Sequence, residues 1–152
     1  MRSFTKQILL AAVLVFAVLG AKAQNKVFEK YFDMKGVESV TIGKSMIADA
    51  LDANLAQRFD KLYVINFASK DAKKKIAADI KALSNNKDYE VLMSGNEGNA
   101  RYDFLFNSKS SPTEFIISAA AGKEHIVMLF LGDFTEDDLE SLINLMDDFD
   151  DE

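Results

Sequence analysis

Two neighbouring stretches in the second half of the chain are apolar on both faces, and they constrain the fold more than any other feature. They are residues 114–121 and 125–131. If 125–131 is a strand, its side chains alternate between two sets, His125, Val127, Leu129 and Leu131 against Ile126, Met128 and Phe130. An antiparallel sheet with one face in water instead alternates apolar and polar residues. Both stretches are therefore either central strands covered on both faces, which we favour, or strands whose second face is a binding surface.

Turn signals separate four strand candidates in this half. Asn96-Glu97-Gly98-Asn99 supplies residues that tolerate positive φ, residues 107–112 form a polar loop that ends in a proline, and Gly122-Lys123-Glu124 makes a tight connection. Short connections make neighbouring strands antiparallel, so we expect a meander. Its strands are predicted at 89–94, 101–107, 114–121 and 125–131.

The first half alternates helices and strands. Apolar residues recur every four positions between Ile47 and Phe59, which predicts one helix of about four turns over 44–59. Ser69 or Asp71 can cap a later helix, because their side-chain oxygens accept from its first free N–H groups. The predicted elements, in order, are a helix over 26–35, a strand over 37–42, the helix over 44–59, a strand over 61–68 and a helix over 69–83.

Several sequence signals predict a helix at the C-terminal end of the chain. Thr135 is the predicted N-cap and Asp138 the third helical residue, while Phe134 and Leu139 occupy the two hydrophobic-staple positions. The acidic tail over 147–152 lies where the helix dipole disfavours anions, so we expect its last turn to fray. The whole pattern predicts an α+β fold with a predominantly antiparallel sheet: βαβα, then the meander and the C-terminal helix, with helices packed on the sheet.

The first 23 residues have the features of a secretory signal peptide. Arg2 and Lys6 precede an apolar run over 8–20, and Ala21-Lys22-Ala23 offers a cleavage site before Gln24. The run has 13 residues, whereas a membrane-spanning helix needs about 20. We therefore predict cleavage between Ala23 and Gln24, a single domain over 24–152, no transmembrane span in the mature chain, and export, most simply to the periplasm.

Composition narrows the function classes further. Removal of three basic residues with the signal would take the net charge from −6 to −9, which disfavours nucleic acid and anionic membranes as partners. The chain has no cysteine, which excludes disulfides, thiol catalysis and cysteine-based zinc sites. It also excludes a lipid-modified cysteine after the cleavage site, where Gln24 stands.

A series of short motifs resembles a known family. They are Phe28-Glu29-Lys30-Tyr31, Asp33-Met34-Lys35-Gly36-Val37, Ser39-Val40, Ile42-Gly43-Lys44-Ser45-Met46, Lys61-Leu62-Tyr63-Val64-Ile65, Tyr89-Glu90-Val91-Leu92-Met93, and Leu131-Gly132-Asp133-Phe134 followed by Asp138-Leu139. Together they resemble the domain of unknown function 4252 family of exported Bacteroidetes proteins. The resemblance covers nearly the whole mature chain and implies export, with no assigned activity. Many members look like lipoproteins, from which this chain departs.

Candidate chemistry is sparse. His125 is the only histidine, whereas a histidine-based metal site needs several ligands and a triad needs a nucleophile and an acid in set geometry. The tail over 147–152 lacks the alternating spacing that wraps calcium. We therefore assign no catalytic, cofactor-binding or metal-binding residue.

Three further patterns have structural interpretations that we favour. Lys70 and Lys73-Lys74-Lys75 form a basic patch, which we interpret as a solvent-exposed helix face. The patch could also bind an acidic partner or a second copy of the protein. Tyr102, Phe104 and Phe106 form an aromatic row, read as core rather than as a stacking platform. The turn over 96–99 has too few glycines to cradle phosphate.

Two functional classes remain open. The first, which we favour from sequence, is a non-enzymatic interaction or regulatory module of the cell envelope, with an envelope protein or a second copy as partner. The second is a small-ligand binding domain, or a weakly marked hydrolase that uses carboxylates. The second class needs a concave pocket with convergent polar groups, for which Arg101, Asp103 and His125 are the candidates.

Overall fold

Six antiparallel strands form one sheet, with two strands from the second half of the chain near its centre. The structure is a computed structural model, which describes residues 26–148. Its strands are β1 (Val37–Gly43), β2 (Phe59–Phe67), β3 (Glu90–Glu97), β4 (Ala100–Asn107), β5 (Thr113–Ala121) and β6 (Glu124–Gly132). Its helices are α1 (Lys26–Glu29), α2 (Lys44–Ile47), a 3₁₀ turn (Ala48–Ala50), α3 (Ala53–Arg58), α4 (Lys70–Ser84) and α5 (Glu136–Asp148).

The strand order is β1-β2-β6-β5-β4-β3. Strands β3 to β6 form the predicted meander, each pairing antiparallel with the next. The last strand then pairs antiparallel with β2, from the first half of the chain. The predicted α+β class with a predominantly antiparallel sheet is therefore confirmed. Strands β1 and β3 form the two edges of the sheet.

Helices cover both faces of the central strands. Val127 and Leu129 of β6 pack in one cluster with α4 and the segment around α1. Met128 and Phe130 pack on the opposite face, in a cluster with side chains of α3 and α5. The prediction that the doubly apolar strands are central and covered is confirmed, since both sets of side chains are buried.

Two-residue loops close two of the hairpins. β3 connects to β4 through Gly98 and Asn99, and β5 connects to β6 through Gly122 and Lys123. Both glycines have positive φ, 64° and 57°, which L-residues with a side chain adopt only with strain. The predicted turns are confirmed. β3 begins one residue later than predicted, at Glu90, and continues to the turn.

The predicted single helix over 44–59 is wrong. The segment instead forms α2, a 3₁₀ turn and α3, with two extended residues, Leu51 and Asp52, before the last of these. Asp52 explains the interruption, because its carboxylate accepts a hydrogen bond from the N–H of Leu55 at 2.8 Å and so caps a new helix. Phe59 belongs to β2. The apolar residues that recur every four positions, Ile47, Leu51, Leu55 and Phe59, nevertheless all pack in the same core cluster.

The predicted N-terminal helix is also shorter than expected. It ends at Glu29, and consecutive turns carry the chain to Gly36, whose φ is 83°. Phe28 and Tyr31 are nevertheless fully buried against the α4 side of the sheet. The hydroxyl of Tyr31 donates to Asp79 of α4, which also pairs with Lys30 at 2.7 Å. These contacts fasten the N-terminal segment to α4.

The caps of the two long helices follow the sequence prediction. Ser69 caps α4, with its Oγ accepting from the N–H of Ala72 at 3.1 Å. At the start of α5, the carboxylate of Asp138 accepts from the N–H of Thr135 at 2.8 Å and from its hydroxyl at 3.0 Å. Asp138 therefore supplies the reciprocal half of the predicted capping box. The flanking Phe134 and Leu139 are buried in one cluster, as the staple requires.

Two predictions concern the ends of the chain. The signal peptide predicted over 1–23 lies outside the described residues. The backbone of α5 is helical to Asp148, and the rest of the acidic tail predicted to fray, 149–152, also lies outside them.

Candidate functional site

A cavity of about 480 Å³ lies between α4 and the sheet. Small-molecule sites commonly have volumes of about 300–1,000 Å³. Two alanines, Ala77 on α4 and Ala120 on β5, leave room where larger side chains would close the gap. The remaining lining residues are Ile80, Lys81, Ser84, Asn85, Arg101, Asp103, Ser118 and His125.

Strand direction brings the polar side chains of the sheet together. The cavity lies at the end of the sheet where β4 begins, β5 ends and β6 begins, because these strands are antiparallel. Asp103 pairs with Ser118 across β4 and β5, and Arg101 and His125 are both register partners of Ala120. Side chains two residues apart on a strand share a face. The alternation that points Val127 and Leu129 at α4 therefore points His125 at it too.

Ser118 and His125 form a buried hydrogen-bonded pair. The Ser118 Oγ lies 2.8 Å from the His125 Nε2, and both residues are less than a tenth exposed. Burial lowers the pKa of His125 to about 4, a shift that Lys73 reinforces and Asp103 opposes. The imidazole is therefore neutral at neutral pH, with one nitrogen able to donate and the other to accept.

Asp103 is a buried carboxylate with only part of its hydrogen-bonding capacity in use. Its Oδ1 accepts from the hydroxyl of Ser94 at 2.7 Å and from the guanidinium of Arg101 at 3.2 Å. The same guanidinium nitrogen lies 3.3 Å from the Ser94 Oγ. Within residues 26–148, the side-chain hydrogen bonds of the two residues use the Oδ1 of Asp103 and the Nε2 of His125, which leaves the Oδ2 and the Nδ1 open to the cavity. The one fully buried side-chain atom there without a partner is instead the Tyr63 hydroxyl. The cavity thus presents two unpartnered polar atoms on buried side chains.

The arrangement suits binding better than nucleophilic catalysis. A serine–histidine–aspartate triad needs the acid to hold the imidazole by a hydrogen bond. Asp103 instead bonds to Ser94 and Arg101, and acts on His125 through charge. Ser118 lies within β5, whose backbone pairs with strands on both sides, so its own neighbouring N–H groups do not form an oxyanion hole.

A second, larger groove of about 680 Å³ lies between the β4–β5 loop and the α3–β2 junction. Its basic side chains already have partners. The Nζ of Lys44 donates to the carbonyl of Gln57 at 2.8 Å, and Arg58 makes a two-pronged contact with the Asp138 carboxylate. This pairing lowers the pKa of Asp138 to about 2. The two cationic side chains of the second groove are therefore already engaged within the fold.

The structure brings together Arg101, Asp103 and His125, the three residues that the sequence offered for a concave polar site. Sequence reasoning missed Ser118, although a serine inside a doubly apolar strand is itself a signal of a polar contact. It also missed the contributions of α4, whose Lys81, Ser84 and Asn85 carry no motif.

The other candidates have structural roles. The aromatic row of Tyr102, Phe104 and Phe106 packs in the core, as predicted. The turn over 96–99 closes a hairpin. Of the basic patch over 70–75, Lys74 and Lys75 are exposed, whereas Lys73 is half-buried and acts on His125.

Within residues 26–148, no helix is long and apolar enough to cross a bilayer. No group of three or more histidine, aspartate or glutamate side chains in that range is placed to hold a metal ion.

Comparisons with known proteins give one match. No curated protein and no solved structure matches the chain. A family model described as Domain of unknown function (DUF4252) matches residues 31–142, which extend from the buried Tyr31 to the core residue Leu142 of α5. This range contains every residue that lines the cavity beneath α4. The chain therefore belongs to the DUF4252 family.

Proposed function

We propose that the protein is an exported, non-enzymatic domain that binds a small polar ligand in the cavity beneath α4. The observation that carries the proposal is the pair of unpartnered polar atoms, the Oδ2 of Asp103 and the Nδ1 of His125, on buried side chains that line one cavity. Both atoms are open to the cavity, since the Tyr63 hydroxyl is the one fully buried side-chain atom of residues 26–148 that lacks a partner. A ligand that binds there replaces the water at these two atoms with hydrogen bonds of its own, which are stronger when one group is charged.

Export is the second part of the proposal. The basic residues, short apolar run and small residues over 1–23 support a cleaved signal peptide, and the absence of cysteine is compatible with an oxidising compartment. The periplasm is the proposed location, and the mature chain is acidic. N-terminal sequencing of the protein from a periplasmic extract tests this, since it must begin at Gln24. A mature protein that begins at Met1 and stays in the cytoplasm contradicts it.

The binding proposal is tested by filling the cavity. Ala120→Leu adds a larger side chain to its wall, while Ala82→Leu makes the same change on an exposed position of α4. The melting temperatures of both variants and of the unaltered protein are measured in the presence of four separate sets of compounds: amino acids, sugars, nucleotides and dicarboxylic acids. A ligand that binds only the folded state raises the melting temperature.

We expect one panel to raise the melting temperature of the parent and of Ala82→Leu, but not that of Ala120→Leu. If no panel stabilises the parent, or if the stabilisation is unchanged in Ala120→Leu, the cavity is not the binding site and the proposal fails.

A second candidate function is docking of an envelope protein partner along β3. This strand is an edge of the sheet, most of its residues are exposed, and its apolar Val91 is among the exposed ones. Edge strands accept an added strand from another chain. In-cell crosslinking of tagged protein, followed by mass spectrometry, tests this: a near-stoichiometric partner must be lost in Val91→Lys. Recovery of the tagged protein alone contradicts it.

A further inference from the structure

The cavity beneath α4 carries opposite charges at two depths. Asp103 is buried, with its carboxylate at the wall of the cavity. The Arg101 side chain is 57% exposed, and Lys81 is exposed on α4, so the two cations line the cavity from its solvent side. A ligand that enters therefore meets positive charge at the mouth and negative charge further in.

Both charged groups of the sheet keep unused hydrogen-bonding capacity. Arg101 reaches Asp103 through one nitrogen only, at 3.2 Å, and a guanidinium has five N–H donors in a planar fork. That fork matches a carboxylate in a bidentate manner. On the other side, the free Oδ2 of Asp103 can accept a hydrogen bond from a cationic donor. The free Nδ1 of His125 can do the same in the tautomer whose Nε2–H donates to the Ser118 Oγ.

The short distance between the two charges restricts the ligand. The guanidinium of Arg101 and the carboxylate of Asp103 lie within 3.2 Å of each other. A molecule that pairs with both must carry its own opposite charges close together. Two charges separated by a single carbon atom, as in an α-amino acid, meet this requirement, whereas a long chain with charges at its two ends does not.

We propose, on the basis of the proposed binding function, that the cavity binds a free α-amino acid. Its ammonium group donates to Asp103 and His125, and its carboxylate pairs with Arg101 and Lys81. The side chain of the amino acid occupies the remaining volume between Ala77, Ile80 and Ala120.

The test begins with the twenty common amino acids, each titrated into the full mature protein by calorimetry. The amino acid that binds is then compared with its N-acetyl derivative, which lacks the ammonium, and with its amide, which lacks the carboxylate. We expect each derivative to bind at least about tenfold more weakly, since hydrogen bonds to charged groups contribute about 1.5–3 kcal/mol.

Matched variants assign the two ends of the ligand. Asp103→Asn must weaken binding of the amino acid but not of its N-acetyl derivative. Arg101→Gln must weaken binding of the amino acid but not of its amide. Lys87→Gln, an exposed change beyond the end of α4, serves as the control and must bind like the parent. A variant that had simply lost its fold would bind none of these probes.

The remaining outcomes separate this inference from the proposed function. A sugar or another uncharged molecule that binds the parent but not Ala120→Leu overturns the amino-acid assignment and leaves the binding function standing. A carboxylic acid without an ammonium that binds as tightly as the amino acid also overturns it. If none of the panels binds, both proposals fail.

Discussion

The hydroxyl of Ser118 and the imidazole of His125 share a 2.8 Å hydrogen bond between adjacent central strands, beneath a helix that shields them from water. This contact holds the only histidine of the chain in one orientation and uses one ring nitrogen. The second nitrogen remains for the cavity. The hydrogen bond to Ser118 thus fixes the orientation of a neutral imidazole, whose Nδ1 is available to a ligand in the cavity.

The buried imidazole gives the protein a defined pH dependence. The pKa of His125 falls from 6.5 to about 4 on folding, so the unfolded chain binds a proton that the folded chain does not between these values. Stability from this group is complete above pH 6.5 and is lost as the pH falls towards 4. We expect a loss of about 2 kcal/mol between pH 7 and pH 5.

Urea unfolding of the parent and of His125→Gln at pH 7 and pH 5 measures this effect. The Gln amide can still hydrogen-bond to the Ser118 hydroxyl but does not titrate, so the difference in stability between the two proteins must shrink at pH 5. Equal pH dependence in both proteins would show that folding does not lower the pKa of His125.

The ion pair and cap at the start of α5 predict a second effect. Asp138 binds Arg58 of α3 and accepts from the N–H of Thr135, the residue before its own helix, whereas its neighbour Asp137 is exposed. We expect Asp138→Ala to lower the free energy of unfolding by about 1–2 kcal/mol and Asp137→Ala to change it by less than about 0.5 kcal/mol. Denaturant titration at neutral pH compares them, and equal losses would mean that only the helix dipole matters.

Gly132, at the end of β6, occupies a position where a side chain does not fit. A Cβ there would lie 2.4 Å from the carbonyl oxygen of Arg58 and 2.8 Å from the Phe134 ring, whereas a Cβ at Gly43 would meet nothing within 4 Å. We expect Gly132→Ala to cost about 2 kcal/mol or more, and Gly43→Ala about 0.5 kcal/mol or less. Thermal unfolding measures both. A neutral Gly132→Ala would show that the α3–β2 junction moves freely.

Adjacent residues of β6 test the two-faced core. Leu129 and Phe130 are both buried, on opposite faces of the sheet, while Val91 on the edge strand β3 is exposed. We expect Leu129→Ala and Phe130→Ala each to cost about 3 kcal/mol, and Val91→Ala less than about 1 kcal/mol. Chemical denaturation compares the three variants. A mild effect on only one face would mean that this face is loosely covered.

Local sequence signals were sufficient for most of the fold. The alternation over 125–131 assigned its side chains to the correct faces, and the cap at Ser69 and the reciprocal contact of Asp138 lie where the sequence predicts them. These features depend on residues within a few positions of one another, which is why the sequence alone reveals them.

The failures have physical causes of their own. A stripe repeating every four residues over 47–59 fits one helix or two short ones, and only the hydrogen bond of Asp52 to Leu55 decides between them. The pairing of β6 with β2 depends on contacts between distant parts of the chain. The same is true of the cavity: Arg101, Asp103 and His125 could be named as candidates, but Ser118 and the residues of α4 join them only through tertiary packing.

Because β6 pairs with β2 and β5, the six-stranded sheet can form only after β6 has been synthesised. β2 is made early but gains its inner neighbour only when residues 124–132 are available. Until then one edge of an apolar strand has unpaired backbone groups, and such edges promote aggregation. A shortened chain that stops before β6 therefore lacks the strand that joins its two halves. During synthesis, such a chain would present two separate, incomplete sheets instead of one.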